Sequence, residues 1–227
     1  MGSFVEYVQA ELTARADPEK APQMAAYLKT DMPFYGVQAA GCREIVRDLK
    51  RQFPPQSPDE YRHMVELLWS LPHREEKYVA ISFARSHQQF ITLEQLDLYR
   101  RLIVEGAWWD FVDTVASGLV GRVLLGDREA LRPTLDEWID GDDMWLRRTA
   151  IISQLDHKDQ TDVDMLFDYC LRGAHEKEFF IRKAIGWALR QYARTDPDAI
   201  TTFLLVHRDE LSGLSFREAA KHLELDP

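Results

Sequence analysis

The run Trp108-Trp109-Asp110-Phe111-Val112-Asp113 sets indoles and carboxylates within two turns of one segment. On a helix Trp109 and Asp113 stand four apart and share a face. Lys183, Trp187 and Arg190, at spacings of four and three, make a second face in which basic groups border an indole. Trp145-Leu146-Arg147-Arg148 lies between the two. Tryptophans on helices usually fill cores, and adjacent Trp108 and Trp109 cannot face the same side, so one of them is expected to pack inward. Taken with Asp113, Arg148 and Arg190, the set points to an exposed aromatic and ionic cleft. Such a cleft suits positive charge, which both indole faces and carboxylates attract.

The elements that must carry these residues read as helices, because apolar residues recur at spacings of three and four and hairpin signals are missing. Ser57-Pro58-Asp59-Glu60 supplies a cap, a proline at the first helical position and a capping-box glutamate. Thr92 with Gln95 and Ser215 with Glu218 read as repeats of that device, and Asp196-Pro197 opens another helix. The pattern predicts roughly a dozen helices of about 8 to 18 residues, with Pro22 and Pro133 kinking or dividing theirs. The second half also repeats itself. Trp145-Leu146-Arg147-Arg148, Phe180-Ile181-Arg182-Lys183 and Ser215-Phe216-Arg217-Glu218 recur at a spacing near 35, and Trp109 to Val115 falls one period earlier. Stacked helical pairs have this signature. No linker-like stretch divides the chain, so residues 1–227 are expected to form a single all-α domain of stacked helical pairs with a concave surface.

Composition narrows the chemistry. The 227 residues hold 28 basic and 38 acidic side chains, a formal net charge of −10. The molecule as a whole repels polyanions, so nucleic acid requires a local basic patch. Residues 145–194 carry +2 while the remainder carries −12, a segregation that marks this segment as the place for phosphate contact. Nucleotide-loop, dinucleotide, zincin, CxxC and nucleophile-elbow motifs are missing. The seven histidines form no pair at helical spacing and read as ordinary surface residues. Cys42 and Cys170 read as packing residues and suit a reducing cytoplasm. No apolar run is long enough to span a bilayer, and no export signal opens the chain.

The stretches WWDFVD (108 to 113), DDMWLRRTAI (142 to 151), EKEFFIRKAIGWALRQYARTDPD (176 to 198) and LSFREAAKHL (214 to 223) closely resemble the AlkD-type DNA alkylation-repair glycosylases. Asp17-Pro18-Glu19-Lys20, Met24 to Lys29, Gly36-Val37-Gln38 and LLWSLPHRE (67 to 75) look like the same family in the same order. The resemblance implies that residues 1–227 form a single HEAT-like repeat domain, an α-solenoid superhelix whose concave face curves around duplex DNA, and excision of cationic N3- and N7-alkylated purines in base excision repair, leaving an abasic site. It maps catalytic roles onto Trp109, Asp113 and Trp187, phosphate contacts onto Arg148 and Arg190, and positions near the DNA onto Tyr27 and Gln38; Arg43 and Lys183 read as further phosphate contacts. It implies no metal or cofactor, double-stranded DNA carrying alkylated purines as the partner, and a monomer in the cytoplasm at the nucleoid. Two alternatives stay open on the residues alone. One is a noncatalytic helical-repeat protein that binds damaged or distorted duplex, the other a protein-binding solenoid with Trp109 and Trp187 as interface anchors.

Overall fold

Side chains of Ser3, Ser57, Asp127, Asp143, Asp162, Asp196 and Ser212 cap the helices that follow them. The computed structural model describes residues 3–224, and among them there is no strand. The chain gathers into two compact units, one ending at Ile91 and the other beginning at Thr92.

The first unit contains α1 (Phe4–Ala14), α2 (Lys20–Leu28), α3 (Ala39–Gln52), α4 (Pro58–Ser70) and α5 (Arg74–Ser86). Ser3 opens α1 through a capping box with Glu6, and Ser57 opens α4 by accepting from the Glu60 amide at 3.1 Å, with Pro58 at the first position as expected. Pro22 neither divides α2 nor ends it. It lies in the first turn, where a missing N–H has no intrahelical acceptor to lose. The core beneath α1, α3, α4 and α5 is built from Val8, Leu12, Ile45, Leu49, Leu68 and Phe83.

The link from α2 to α3 is fastened to the start of α5. Glu75 is fully buried, and its carboxylate accepts the amides of Tyr35 (3.1 Å), Gly36 (2.8 Å) and Val37 (3.0 Å). Gly36 has φ of 88°, and a β-carbon there would meet the Asp17 carbonyl oxygen at 2.1 Å, so only glycine fits. The sequence LPHRE is thus the anchor of a loop, with the Arg74 amide also donating to the Pro33 carbonyl at 2.9 Å.

The second unit contains α6 (Leu96–Gly106), α7 (Trp109–Val115), α8 (Gly121–Gly126), α9 (Arg128–Asp140), α10 (Met144–Ile152), α11 (Val163–Arg172), α12 (Phe179–Tyr192), α13 (Pro197–Val206) and α14 (Gly213–Ala219). Helices α7, α10, α12 and α14 pack in succession, with α6, α9, α11 and α13 behind them, as in a HEAT-like array. A π turn over Ala116–Val120 joins α7 to α8. The extra residue rotates the phase by about 100°, so that Phe111, Val112, Val115, Leu119, Val120, Val123 and Leu124 all face the core. Gly121 allows this bend to touch α10: a β-carbon there would lie 2.2 Å from the Ser153 carbonyl oxygen.

Several sequence expectations change in detail. The helices run from 6 to 14 residues, shorter than predicted. Asp196 caps α13 as expected, through the Ala199 amide at 2.9 Å. Thr92 instead opens a short 3-10 turn, Leu93–Gln95, without a side-chain cap. Ser215 is not a cap either. Ser212 caps α14, while the Ser215 hydroxyl sits inside the helix and donates to the Arg182 carbonyl at 3.0 Å, which ties α14 to α12. Helix α9 runs through Pro133 undivided. His87 and His157 are buried, contrary to the surface expectation, because each ring pairs with a main-chain carbonyl: His87 with Phe83 at 2.9 Å and His157 with Gly121 at 2.8 Å.

Candidate active site

Trp108 is the extended residue at the start of α7, and its half-buried ring packs into an aromatic cluster. Its ring meets Trp145 at 6.1 Å and Phe180 at 5.5 Å, and Trp145 meets Phe180 at 5.0 Å, so α7, α10 and α12 share one aromatic floor. Trp109, the first residue of α7, is half-buried, as is Trp187 on α12. Sequence reasoning missed the floor residues as a group; the aromatic recurrence at 145 and 180 was the signal that could have found them.

Asp113 sits one turn beyond Trp109, its side chain 15% exposed. Arg148 on α10 grips it with both edges of the fork: Nε donates to Oδ1 at 2.7 Å and Nη2 to Oδ2 at 2.8 Å. The third nitrogen, Nη1, donates to the Phe180 carbonyl at 2.5 Å. That bond ties the pair to the first turn of α12, the helix that bears Trp187 two turns further on. A bidentate clamp fixes the carboxylate plane and leaves a lone pair on each oxygen for another partner. Burial raises the Asp113 carboxyl above the ordinary carboxylate range, while the hydrogen bonds and charge of Arg148 pull it back.

Arg148, expected as a phosphate contact, is placed behind Asp113. Its side chain is 5% exposed and all its guanidinium nitrogens point inward, so it positions Asp113. Other cations of the basic segment are engaged in the same way. Arg147 pairs with Glu176 at 2.5 Å, and Arg172 pairs with Asp136, Asp140 and Asp168. The excess of positive charge in residues 145–194 is therefore largely met by acids that the unit supplies. Lys183 and Arg190 both reach Glu218 on α14, Lys183 at 2.6 Å.

Tyr27, Gln38 and Arg43 belong to the first unit. Tyr27 is 75% exposed, and Gln38 and Arg43 are exposed at the start of α3. Tyr27 and Gln38 come together with Lys20, Gln23, Met24 and Leu28 around an open pocket of about 290 Å³, held in register by the Glu75 anchor; Arg43 is not part of that lining. No cluster of His, Cys, Asp or Glu able to hold a metal occurs among the described residues. Cys42 and Cys170 are buried, with burial pushing the Cys42 thiol up to about 12 and Cys170 higher still, as suits packing residues. No described helix is long and apolar enough to cross a membrane.

With this geometry in place, comparison with known proteins is specific. A family model described as DNA alkylation repair enzyme matches residues 8–223. A solved structure, that of a predicted DNA alkylation repair enzyme from Enterococcus faecalis, is 29% identical, with a TM-score of 0.85 over 93% of this chain and 98% of that one. No curated protein matches the chain. The chain belongs to the family of DNA alkylation repair enzymes.

Proposed function

We propose that this protein is a monofunctional DNA glycosylase that hydrolyses the glycosidic bond of cationic N3- and N7-alkylated purines in duplex DNA. The observation that carries the reading is the Asp113 carboxylate, held by Arg148 on a helix whose first residue is the half-buried Trp109. An alkylated purine already bears positive charge and leaves readily. As the C1′–N bond breaks, its electron pair neutralises the purine and positive charge passes to the deoxyribose. A fixed carboxylate stabilises that state more than the ground state. At about 4 Å and an effective dielectric near 20 the attraction of a bare carboxylate is on the order of 4 kcal/mol, roughly a thousandfold in rate, a ceiling that the paired charge of Arg148 lowers. Water then adds to C1′, oriented by a free lone pair of Asp113, and its proton passes to that carboxylate or to solvent. Trp109 and Trp187 offer electron-rich faces worth about 0.5 to 2 kcal/mol each to the growing cation. The product is an abasic site, and neutral lesions should react poorly. Tyr27, Gln38, Arg43, Lys183 and Arg190 serve as DNA contacts, and the protein acts as a cytoplasmic, nucleoid-associated monomer.

The test is release of free base from duplex DNA containing N7-methylguanine, comparing wild type with Asp113→Asn. Release by wild type, lost in the variant while duplex binding is kept, supports catalysis. Wild-type binding with no release would replace this reading with that of a noncatalytic binder of damaged duplex.

A further inference from the structure

Four charged residues stand at one phase of the repeat, each 35 residues after the last: Asp113, Arg148, Lys183 and Glu218. They pair across neighbouring helices, Asp113 with Arg148 and Lys183 with Glu218. The first pair is closed, since every guanidinium nitrogen of Arg148 points inward. The second is open, because Glu218 is shared with Arg190, two turns further along the same face of α12.

The packing of α14 on α12 puts that carboxylate beneath the two cations. Gly186, between Lys183 and Arg190, lets α14 approach so closely that a β-carbon there would lie 2.5 Å from Cβ of Glu218. The Glu218 side chain is 15% exposed, against 20% for Arg190 and 37% for Lys183, so the acid lies deepest and the cations face outward. Lys183 donates one of its three protons to Glu218, and Arg190 binds it through Nη1, with Nε and Nη2 making no hydrogen bond among the described residues. The trio is therefore a cluster of net charge +1 with donors left for an anion. Without the acid it would be +2.

We propose that Glu218 is the built-in counter-ion of a phosphate clamp formed by Lys183 and Arg190, and that it holds down affinity for undamaged duplex. This deepens the DNA reading above and rests on it. A backbone phosphate that meets the clamp feels two cations and, just behind them, a carboxylate that offsets one of them. Sequence-independent binding grows with each cation offered to phosphate, so the carboxylate limits retention on intact DNA while keeping both cations oriented toward the site that carries Trp187.

The experiment measures binding of wild type, Glu218→Gln and Lys183→Gln to an undamaged duplex across a salt series. Glu218→Gln should bind roughly three- to tenfold tighter at low salt, with a slope of log affinity on log salt steeper by about 0.9 for each additional phosphate neutralised. Lys183→Gln leaves Arg190 and Glu218 as a neutral pair, and should weaken binding by a similar factor and flatten the slope by about 0.9. Glu218→Gln that folds, by its thermal transition, yet binds no tighter overturns the proposal. If that variant does not fold, Lys183→Gln decides alone, and wild-type affinity and slope in it overturn the clamp. A wild type that binds no duplex sinks the DNA reading itself. A wild type that binds and excises, alongside variants of unchanged affinity and slope, sinks only the clamp.

Discussion

Replacing Arg148 with methionine isolates what the buried guanidinium does for Asp113. Arg148 donates two bonds to the carboxylate, at 2.7 and 2.8 Å, within a side-chain pair that is 5% and 15% exposed. Removing one partner of such a pair costs about 3 to 5 kcal/mol if the other stays ionised. Asp113 escapes part of that cost by taking a proton, because burial already raises its carboxyl and only Arg148 opposes the rise. The sign follows directly. Under the proposed mechanism the reactive form is the anion, so excision should be complete above the folded-state value and lost as pH falls through it. In wild type this acid limb lies above the ordinary carboxyl value of 3.8, and in Arg148→Met it moves to higher pH. At neutral pH the variant should lose up to about a thousandfold in single-turnover excision, the ceiling set by the carboxylate term of about 4 kcal/mol. Wild type should gain less than that ceiling, since the proposed mechanism sets the sugar against a carboxylate already paired with Arg148. The assay is single-turnover release of N7-methylguanine from duplex DNA across a pH series, corrected for spontaneous loss. Arg148→Met should regain activity toward alkaline pH, Asp113→Asn should not, and Arg148→Lys, which cannot grip both oxygens in plane, should fall between. A wild-type rate and acid limb in Arg148→Met would refute the reasoning.

Other outcomes follow from packing and burial. Gly186→Ala forces a β-carbon to 2.5 Å from Cβ of Glu218 and 2.8 Å from the Ser215 carbonyl, so α14 must lift from α12; calorimetry should show a lower thermal midpoint, with a cost of about 1 to 3 kcal/mol. Burial holds His87 and His157 below the ordinary value of 6.5. The fold thus resists their protonation, and the stability they lend is present above the unfolded value and lost as pH falls through it toward the folded values. The thermal midpoint should drop from about pH 7 toward about pH 5, and His157→Gln should make that slope shallower.

Much of the architecture is legible before any coordinates, because helical periodicity and caps are local properties. Ser57 and Asp196 cap as their spacing predicts. Ser215 misleads, since the same hydroxyl that can cap a helix also bonds a neighbouring carbonyl, and only the approach of α14 to α12 selects the second use. The candidate site is half legible. Trp109 with Asp113 and Lys183 with Trp187 are helical neighbours that spacing alone brings onto shared faces. What spacing cannot give is which acid meets which base. Arg148 reads as a phosphate ligand because an arginine in a basic segment looks like free charge, and its engagement with an aspartate 35 residues away depends on how α10 stacks on α7. Glu75 is hidden for a similar reason: a buried carboxylate satisfied by three loop amides leaves no periodic trace.

The phase shared by Asp113, Arg148, Lys183 and Glu218 limits how this array can change length. Excising the single unit that bears Arg148 would set Asp113 against Lys183, a cation that Glu218 already shares with Arg190. Excising the two middle units together would bring Asp113 to face Glu218, two acids at a seam where each now meets a cation. Truncations and chimaeras cut in this half should therefore fail or succeed according to the sign of charge at the new junction, even where every helix is kept whole.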